Sequence, residues 1–512
     1  MFKSISLTII ATFLGQVLGF FADILIANNF GTTWKADSYF LALVIPVIFS
    51  DLFMLSINAV FIPSYMEHQK KGGAEDFFST FTNASLMIFI GIGTLLFFFA
   101  PFLIGIMATN FTSEAKVLAT SLTRILLLLI LTLPLSTILS CRLNAHNRFA
   151  LPALGKSFNF FFIIIALLFF KGGLDIFSIP IGYILGNLVF IAALSFLLQK
   201  EKLGYSLSMD LRHPALKEIA ILLAPLIAAT MVNYVNIFIE RSIAAGFEEG
   251  SISALTYAFK LVNIPLNLFV LGGMTVIMQV FSEYAAGGDL KGLRDITYRG
   301  LCFVSFFILP IITFLAVYRY PIIKILFERG QFSQHSTEVT SLAVLFYSIG
   351  LLGLASVSIM SRVFYALKDL KTLSILGTFV IVLNIALMLL LSRLFGFIGI
   401  PLTFSITATI QMLVMLLLLD KKFSSSSVLS FLKSVLGHGA ASVVMGIICA
   451  VIFEYLGNHM DYSNKISLMI SLGVGASLGF ASYLSLSAVF KIKEADYVVK
   501  KLHSMYSQNN RI

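Results

Sequence analysis

Stretches of about twenty mostly apolar residues recur along the whole chain, and that recurrence decides what it can fold into. A helix crossing the hydrocarbon core of a bilayer needs about 20 such residues. Fourteen segments qualify: 5–28, 38–62, 78–108, 117–140, 152–170, 176–198, 218–243, 253–282, 298–318, 337–361, 373–392, 397–419, 430–454 and 466–490. The longest connecting stretch, 199–217, is about twenty residues, so no soluble domain fits between them. Of the 512 residues, 58% are hydrophobic and 12% charged, against about 25% charged in an ordinary soluble chain. Such a chain cannot cover itself with polar surface, which excludes a soluble enzyme, a disordered protein and a disulfide-rich module. The first segment has no charged leader beyond Lys3 and is too long for a cleaved signal core, so it is read as the first span. The fold class is an all-α polytopic membrane protein of about 14 transmembrane helices.

Charge placement gives the orientation. When the loops are assigned alternately to two sides, 24 Lys and Arg fall on the side of the N-terminus, 8 on the other, and Arg124, Arg241 and Lys260 inside spans. Basic loops stay cytoplasmic, so both termini are expected in the cytoplasm. The net charge of +10 is then a cytoplasmic rim and not a nucleic-acid footprint.

The chain also resembles itself at an offset of about 220 residues. Tyr39…Ile45-Pro46 matches Tyr257…Ile264-Pro265, and Val60-Phe61…Tyr65…Gly72-Gly73 matches Val280-Phe281…Tyr284…Gly287-Gly288. Pro101…Asn110-Phe111-Thr112 matches Pro321…Gln331-Phe332-Ser333, and Arg142…Ala145…Gly155 matches Arg362…Ala366…Gly377. The offset holds six spans, an even number, so the halves share one topology and are related by a pseudo-two-fold axis along the membrane normal, as in transporters built of parallel repeats. The expected organisation is a six-helix lobe (1–205), a second (206–425), two additional helices (426–490) and a cytoplasmic tail (491–512), with a substrate site between the lobes.

Charged side chains inside a bilayer cost roughly 2.5–3.5 kcal/mol each on insertion scales and tend to face a cavity or a partner. The candidates for lining a cavity are Asp23, Asp37, Asp51, Arg124, Glu240, Arg241 and Lys260. All but Asp51 fall in the outer half of the membrane. Bland readings stand beside the functional ones: Asp37 as a helix N-cap, Arg124 snorkelling outward, Glu240-Arg241 marking the interface, Asp51 pairing with a basic loop. Pro46, Pro134, Pro225 and Pro265 lie within spans and can kink them. Cys141, Cys302 and Cys449 are too scattered for a metal motif and read as packing residues. No nucleotide-binding loop, His-Glu-x-x-His or Gly-x-Ser-x-Gly occurs. The chain is therefore expected to be no enzyme and to bind no cofactor or metal. Transport would draw on the membrane potential, a monovalent cation or the substrate gradient.

Several strings are specific enough to suggest a family. Leu18-Gly19-Phe20…Asp23, Gly31…Ala36-Asp37-Ser38-Tyr39-Phe40, Tyr257-Ala258-Phe259-Lys260-Leu261, Leu326-Phe327-Glu328-Arg329-Gly330-Gln331-Phe332 and Phe364-Tyr365-Ala366-Leu367-Lys368-Asp369 resemble the MviN/MurJ family of lipid II flippases over about residues 1–490. The resemblance implies two six-helix lobes with two extra helices, and alternating-access transport of an undecaprenyl-pyrophosphate-linked saccharide. It also implies a cationic cavity for the pyrophosphate in which Lys260 holds one position, and a bacterial cytoplasmic-membrane location. Membrane lipids and the cell-wall synthesis machinery are the implied partners. The sequence departs from the family pattern where arginines or other basic residues are usual, carrying Gln16, Ala22 and Ser50-Asp51. Another polyprenyl-linked oligosaccharide, such as an O-antigen or exopolysaccharide unit, is the alternative cargo, and ion-coupled drug export a further one.

Overall fold

The computed structural model describes residues 2–205, 214–423, 427–490, 492, 494 and 495. Most of the expected tail, with Arg511, and the stretch containing Arg212 and His213 lie outside the described residues, as does the side chain of Pro225. Among the described residues the regular structure is helical, with no strand.

The chain separates by packing into two compact units: Met1–Ser253 with Arg329–Ser333, and Ala254–Glu328 with Gln334–Ile512. This grouping rests on spatial contact, whereas the lobes 1–205 and 206–425 follow the internal repeat. The helix Pro214–Ala244 therefore belongs by repeat to the second lobe and by packing to the first unit.

The first unit contains α1 (Phe2–Phe30), α2 (Trp34–Lys70), α3 (Ala74–Met107), α4 (Ser113–Leu126), α5 (Leu128–Ala145), the short α6 (Ala150–Ala153), α7 (Gly155–Phe169), the short α8 (Lys171–Leu174), α9 (Ser178–Lys200) and α10 (Pro214–Ala244). Here α2 packs on α4, α5 and α10, while α7 lies between α1 and α9. Close packing of α7 on α9 depends on Gly182 and Gly186, whose positions leave no room for a side chain against the backbone of Phe162, Ile163 and Asn159. The outward faces carry exposed apolar side chains such as Phe98 and Phe102 on α3, the surface expected to meet lipid.

The second unit takes α11 from Ala254 onward (the helix starts at Ser251 and ends at Ala286), α12 (Leu290–Leu326), α13 (Gln334–Ile349), α14 (Leu351–Ala366), α15 (Leu370–Phe395), α16 (Gly399–Phe423), α17 (Ser427–Gly457) and α18 (Lys465–Val489). α12 packs on α13, α14 and α17, and α17 on α18. Cys449 is buried where α17 meets Gly475 and Gly479 of α18, which fits its reading as a packing residue.

The fourteen expected spans each coincide with a helix or a consecutive pair. Among the described residues nine helical runs are long and apolar enough to cross a membrane, and ten with the pair α13–α14, bent by 41°. The run Leu370–Phe423 contains both α15 and α16. Three spans differ in detail from the expectation, the tenth because it is broken at Gly350 into α13 and α14. The fourth is broken at Leu127 into α4 and α5, and the fifth, α7, has only 15 residues. At 1.5 Å per residue that helix is about 22 Å long.

The repeat is visible in the backbone. A turn with Gly72 at φ +80° joins α2 to α3, and one with Gly288 at φ +71° joins α11 to α12. Asn147 (φ +59°) follows α5 as Lys368 (φ +56°) follows α14. A 3-10 turn opened by Asp175 (φ +48°) precedes α9, and one opened by Gly396 (φ +61°) precedes α16.

Candidate functional site

Asp37 is the best-defined of the candidate residues. It lies in the first turn of α2, where Thr33 occupies the N-cap position, so it does not cap its own helix as expected. Its buried carboxylate instead accepts hydrogen bonds from Gly250 N (2.7 Å), Ser253 N (2.8 Å) and Ser253 Oγ (2.7 Å). These amides belong to the start of α11, where the first N–H groups have no partner inside the helix and the dipole favours an anion. The carboxylate thus completes the N-terminus of α11, the helix that carries Lys260.

The surrounding loops interlock. Trp34 N donates to Glu249 Oε1 (2.8 Å), and Asn110 Nδ2 to the Gly246 carbonyl (2.6 Å). A cavity of about 80 Å³, lined by Trp34, Asp37, Asn110, Thr112, Phe247 and Glu249 among others, adjoins the carboxylate. The segment Arg329–Ser333 docks beside it: Gln331 N donates to the Asn28 carbonyl (2.9 Å). Gly31 (φ +56°) and Gly330 (φ +58°) face these strands of backbone. A Cβ on Gly31 would stand 2.2 Å from Gln331 O, and one on Gly330 2.2 Å from Asn28 O. Only glycine allows both the left-handed backbone and the approach.

This explains the string Phe327-Glu328-Arg329-Gly330-Gln331-Phe332. Phe327 packs on the buried Tyr257 ring (5.4 Å), and Glu328 accepts from Thr337 Oγ1 (2.7 Å) and, through its carbonyl, from Lys465 Nζ (2.5 Å). The Phe364-Tyr365-Ala366-Leu367-Lys368-Asp369 string is equally local. Lys368 turns the chain, and Asp369 caps α15 through Thr372 N (3.1 Å) and pairs with Lys422 (2.5 Å). That lysine, with the cap, holds the Asp369 carboxyl down at about 2.

The other candidates are distributed as follows. Asp23 is buried on α1, with its field reaching the buried Tyr39. Asp51 accepts the Tyr234 hydroxyl of α10 and feels the charge of Lys156, which stands in helix α7 and not in a loop. Glu240 stands beside Arg241, whose Nη1 donates to the Ile252 carbonyl (3.4 Å). Arg124 packs its guanidinium over Phe97, 4.8 Å from the ring centre, and donates to the Phe97 carbonyl (3.3 Å), on a face shared with exposed Phe98. Asp37 and Arg241 meet the same short segment, 250–253. In the second unit Lys260 is exposed on α11, next to Phe259, which packs on Tyr347 and Phe404. At the departures from the family pattern, Ala22 is buried and Ser50 is buried against the Leu129 carbonyl (3.3 Å).

Sequence reasoning missed Ser253 and Gly250 as partners of Asp37, because they stand more than two hundred positions away. It also counted Arg142 among the loop cations. The structure places Arg142 inside α5 and fully buried, since Phe78 and Tyr65 close over its guanidinium. His438, which no motif singles out, is buried against Ser305 Oγ (2.8 Å) and Glu494 (3.5 Å).

A family model described as Lipid II flippase MurJ matches residues 26–473. The chain belongs to this family. The family's Lipid II flippase MurJ from Thermosipho africanus is 29% identical over 418 residues, 81% of this chain and 85% of that relative. A solved structure titled "Lipid II flippase MurJ, inward closed conformation" superposes with a TM-score of 0.80 at 27% identity, covering 94% of this chain and 98% of the other. An inward-facing multidrug resistance MATE family transporter of the MOP superfamily matches with a TM-score of 0.70 at 16% identity, covering 80% and 94%, a likeness of fold alone. Family membership makes the chain a multi-pass membrane transporter and not an enzyme.

Proposed function

We propose that this chain is the flippase that carries lipid II, the undecaprenyl-pyrophosphate-linked peptidoglycan precursor, across the bacterial cytoplasmic membrane. The observation that carries the reading is the family match across residues 26–473, supported by the fold likeness to a lipid II flippase over 94% of the chain. No bond in the substrate is made or broken. The work is to take a diphosphate and its sugars through a layer that rejects charge, which requires fixed polar groups along the path.

Lys260 supplies positive charge toward the pyrophosphate, with Arg241 and Arg124 the other cations of the outer half. Asp23, Asp51 and Glu240 balance that charge. Asp37 acts in alternating access as a latch: its three hydrogen bonds hold the start of α11 in one state and are broken in the other. Both termini lie in the cytoplasm, a reading supported by the 24-to-8 bias of basic residues. Energy comes from the membrane potential or a monovalent cation gradient, and the cell-wall synthesis machinery receives the product.

Rescue of cells depleted of their own lipid II flippase tests the reading. Growth and normal cell shape are expected. Lysis despite correct membrane insertion overturns lipid II as cargo and leaves another polyprenyl-linked oligosaccharide as the candidate.

A further inference from the structure

Away from the Asp37 latch, where α3, α5 and α9 converge near the end of α9, the first unit encloses a cavity of about 610 Å³. Its walls are apolar and partly open: Leu86, Leu135 and Ile191 are half-buried, and Leu139 and Leu198 are buried. Its polar end is formed by Arg142, Lys202 and Gln199.

Arg142 is unusual in two respects. It is completely buried, yet among the described residues none of its contacts is with a carboxylate. Nε donates to Tyr65 OH (3.3 Å), Nη1 to the Gly204 carbonyl (2.7 Å), and the guanidinium lies 3.9 Å from the centre of the Phe78 ring. Among the described residues, Nη2 is buried with no hydrogen-bond partner. A buried charge is ordinarily paired, and a buried donor without an acceptor costs about 1–3 kcal/mol. A neutral carbonyl, a phenol and an aromatic face compensate only part of the guanidinium's lost hydration. Two acids of the same corner are engaged elsewhere: Glu75 accepts from Gly204 N (3.1 Å), and Glu201 pairs with Arg148 (2.8 Å).

Lys202 adds a second positive charge at the rim, in a left-handed turn (φ +56°) closed by bonds from Lys202 N to Gln199 O (3.0 Å) and Leu203 N to Leu198 O (3.0 Å). The residue after Gly204, Tyr205, hydrogen-bonds Asn83 and closes the same corner. The site is therefore an apolar slot ending in two cations, one of them short of an acceptor.

We infer that this cavity is a binding site for a phosphate-bearing membrane lipid, separate from the transport path. The phosphate oxygens accept from Arg142 Nη2 and Lys202 Nζ, and one hydrocarbon chain lies along Leu86, Leu135, Leu139 and Ile191. Guanidinium and phosphate match as fork and oxyanion, and the volume lies in the range of ordinary small-molecule sites. Anionic lipid at the membrane surface is the abundant source of both parts.

The test is native mass spectrometry of the full-length chain, titrated in turn with phosphatidylglycerol, phosphatidylcholine and inorganic phosphate. Phosphatidylglycerol is expected to bind at one saturable site, in preference to phosphatidylcholine. Lys202→Gln at the exposed rim and Ile191→Trp in the wall should each weaken that binding, the former about tenfold, as for loss of a hydrogen bond to a charged group. Arg142→Gln should weaken it further, and the other two variants keep the test independent of whether that one folds. Equal binding of the two lipids, or phosphatidylglycerol binding unchanged in both Lys202→Gln and Ile191→Trp, overturns the site. Inorganic phosphate that displaces the lipid's effect while Ile191→Trp has none overturns the lipid and leaves a bare anion site.

Discussion

Removing the Asp37 carboxylate should loosen the start of α11 by an amount the geometry sets. Three donors reach it at 2.7, 2.8 and 2.7 Å, and the group is only 2% exposed, so bulk water has little access to it. Hydrogen bonds to a charged group contribute about 1.5–3 kcal/mol each, but they share one acceptor and are not additive. Losing a helix cap alone costs about 0.5–2 kcal/mol. For Asp37→Ala a destabilisation of about 3–4 kcal/mol is expected, with two amides left unpaired. Asp37→Asn keeps one oxygen and should cost about half as much. Equilibrium unfolding of the purified protein in detergent micelles measures both. A double-mutant cycle with Ser253→Ala separates the latch from general damage, because Ser253 Oγ donates directly to Asp37 Oδ1. The coupling should be about 1 kcal/mol or more. Effects that add within about 0.5 kcal/mol would refute the latch.

Other consequences are more local. Gly330→Ala should destabilise the loops that meet at Asn28 by about 2–3 kcal/mol, since the new methyl meets Asn28 O and the backbone is left-handed; an unchanged melting temperature contradicts this. Asp369 has its carboxyl held down at about 2 against an ordinary 3.8, so its contribution is present above pH 3.8 and lost as pH falls toward 2. Lys422→Gln should move that acid loss to higher pH, measured as the unfolding midpoint against pH. Lys260→Glu should abolish transport while leaving insertion and melting intact, checked by rescue of depleted cells alongside membrane fractionation.

What could be read from the sequence was what is local in the chain. A run such as 78–108 announces a span because twenty apolar residues in a row satisfy the bilayer by themselves. The repeat was legible because turns fix residue types: Gly72 and Gly288 are both left-handed, and sequence alone paired Gly72-Gly73 with Gly287-Gly288. The break at Leu127 left no mark, since neither proline nor glycine stands there and α4 and α5 are continuous in hydropathy. Arg142 looked like a rim cation because its neighbours Asn144, His146 and Asn147 are polar, while the rings that bury it come from α2 and α3. Asp37 was singled out for being charged, but its partners lie at 250 and 253. Such pairings depend on how distant helices pack, which periodicity does not encode.

The central claim is that this chain moves lipid II across a bilayer. Purified protein reconstituted into liposomes loaded with lipid II, with the sugar's exposure on the outer leaflet followed by a membrane-impermeant reagent, tests it most directly. Wild-type vesicles should expose the inner-leaflet pool, and Lys260→Glu vesicles should behave like protein-free ones. An inner pool that stays protected in wild-type vesicles, or that is exposed equally by Lys260→Glu, would contradict the account.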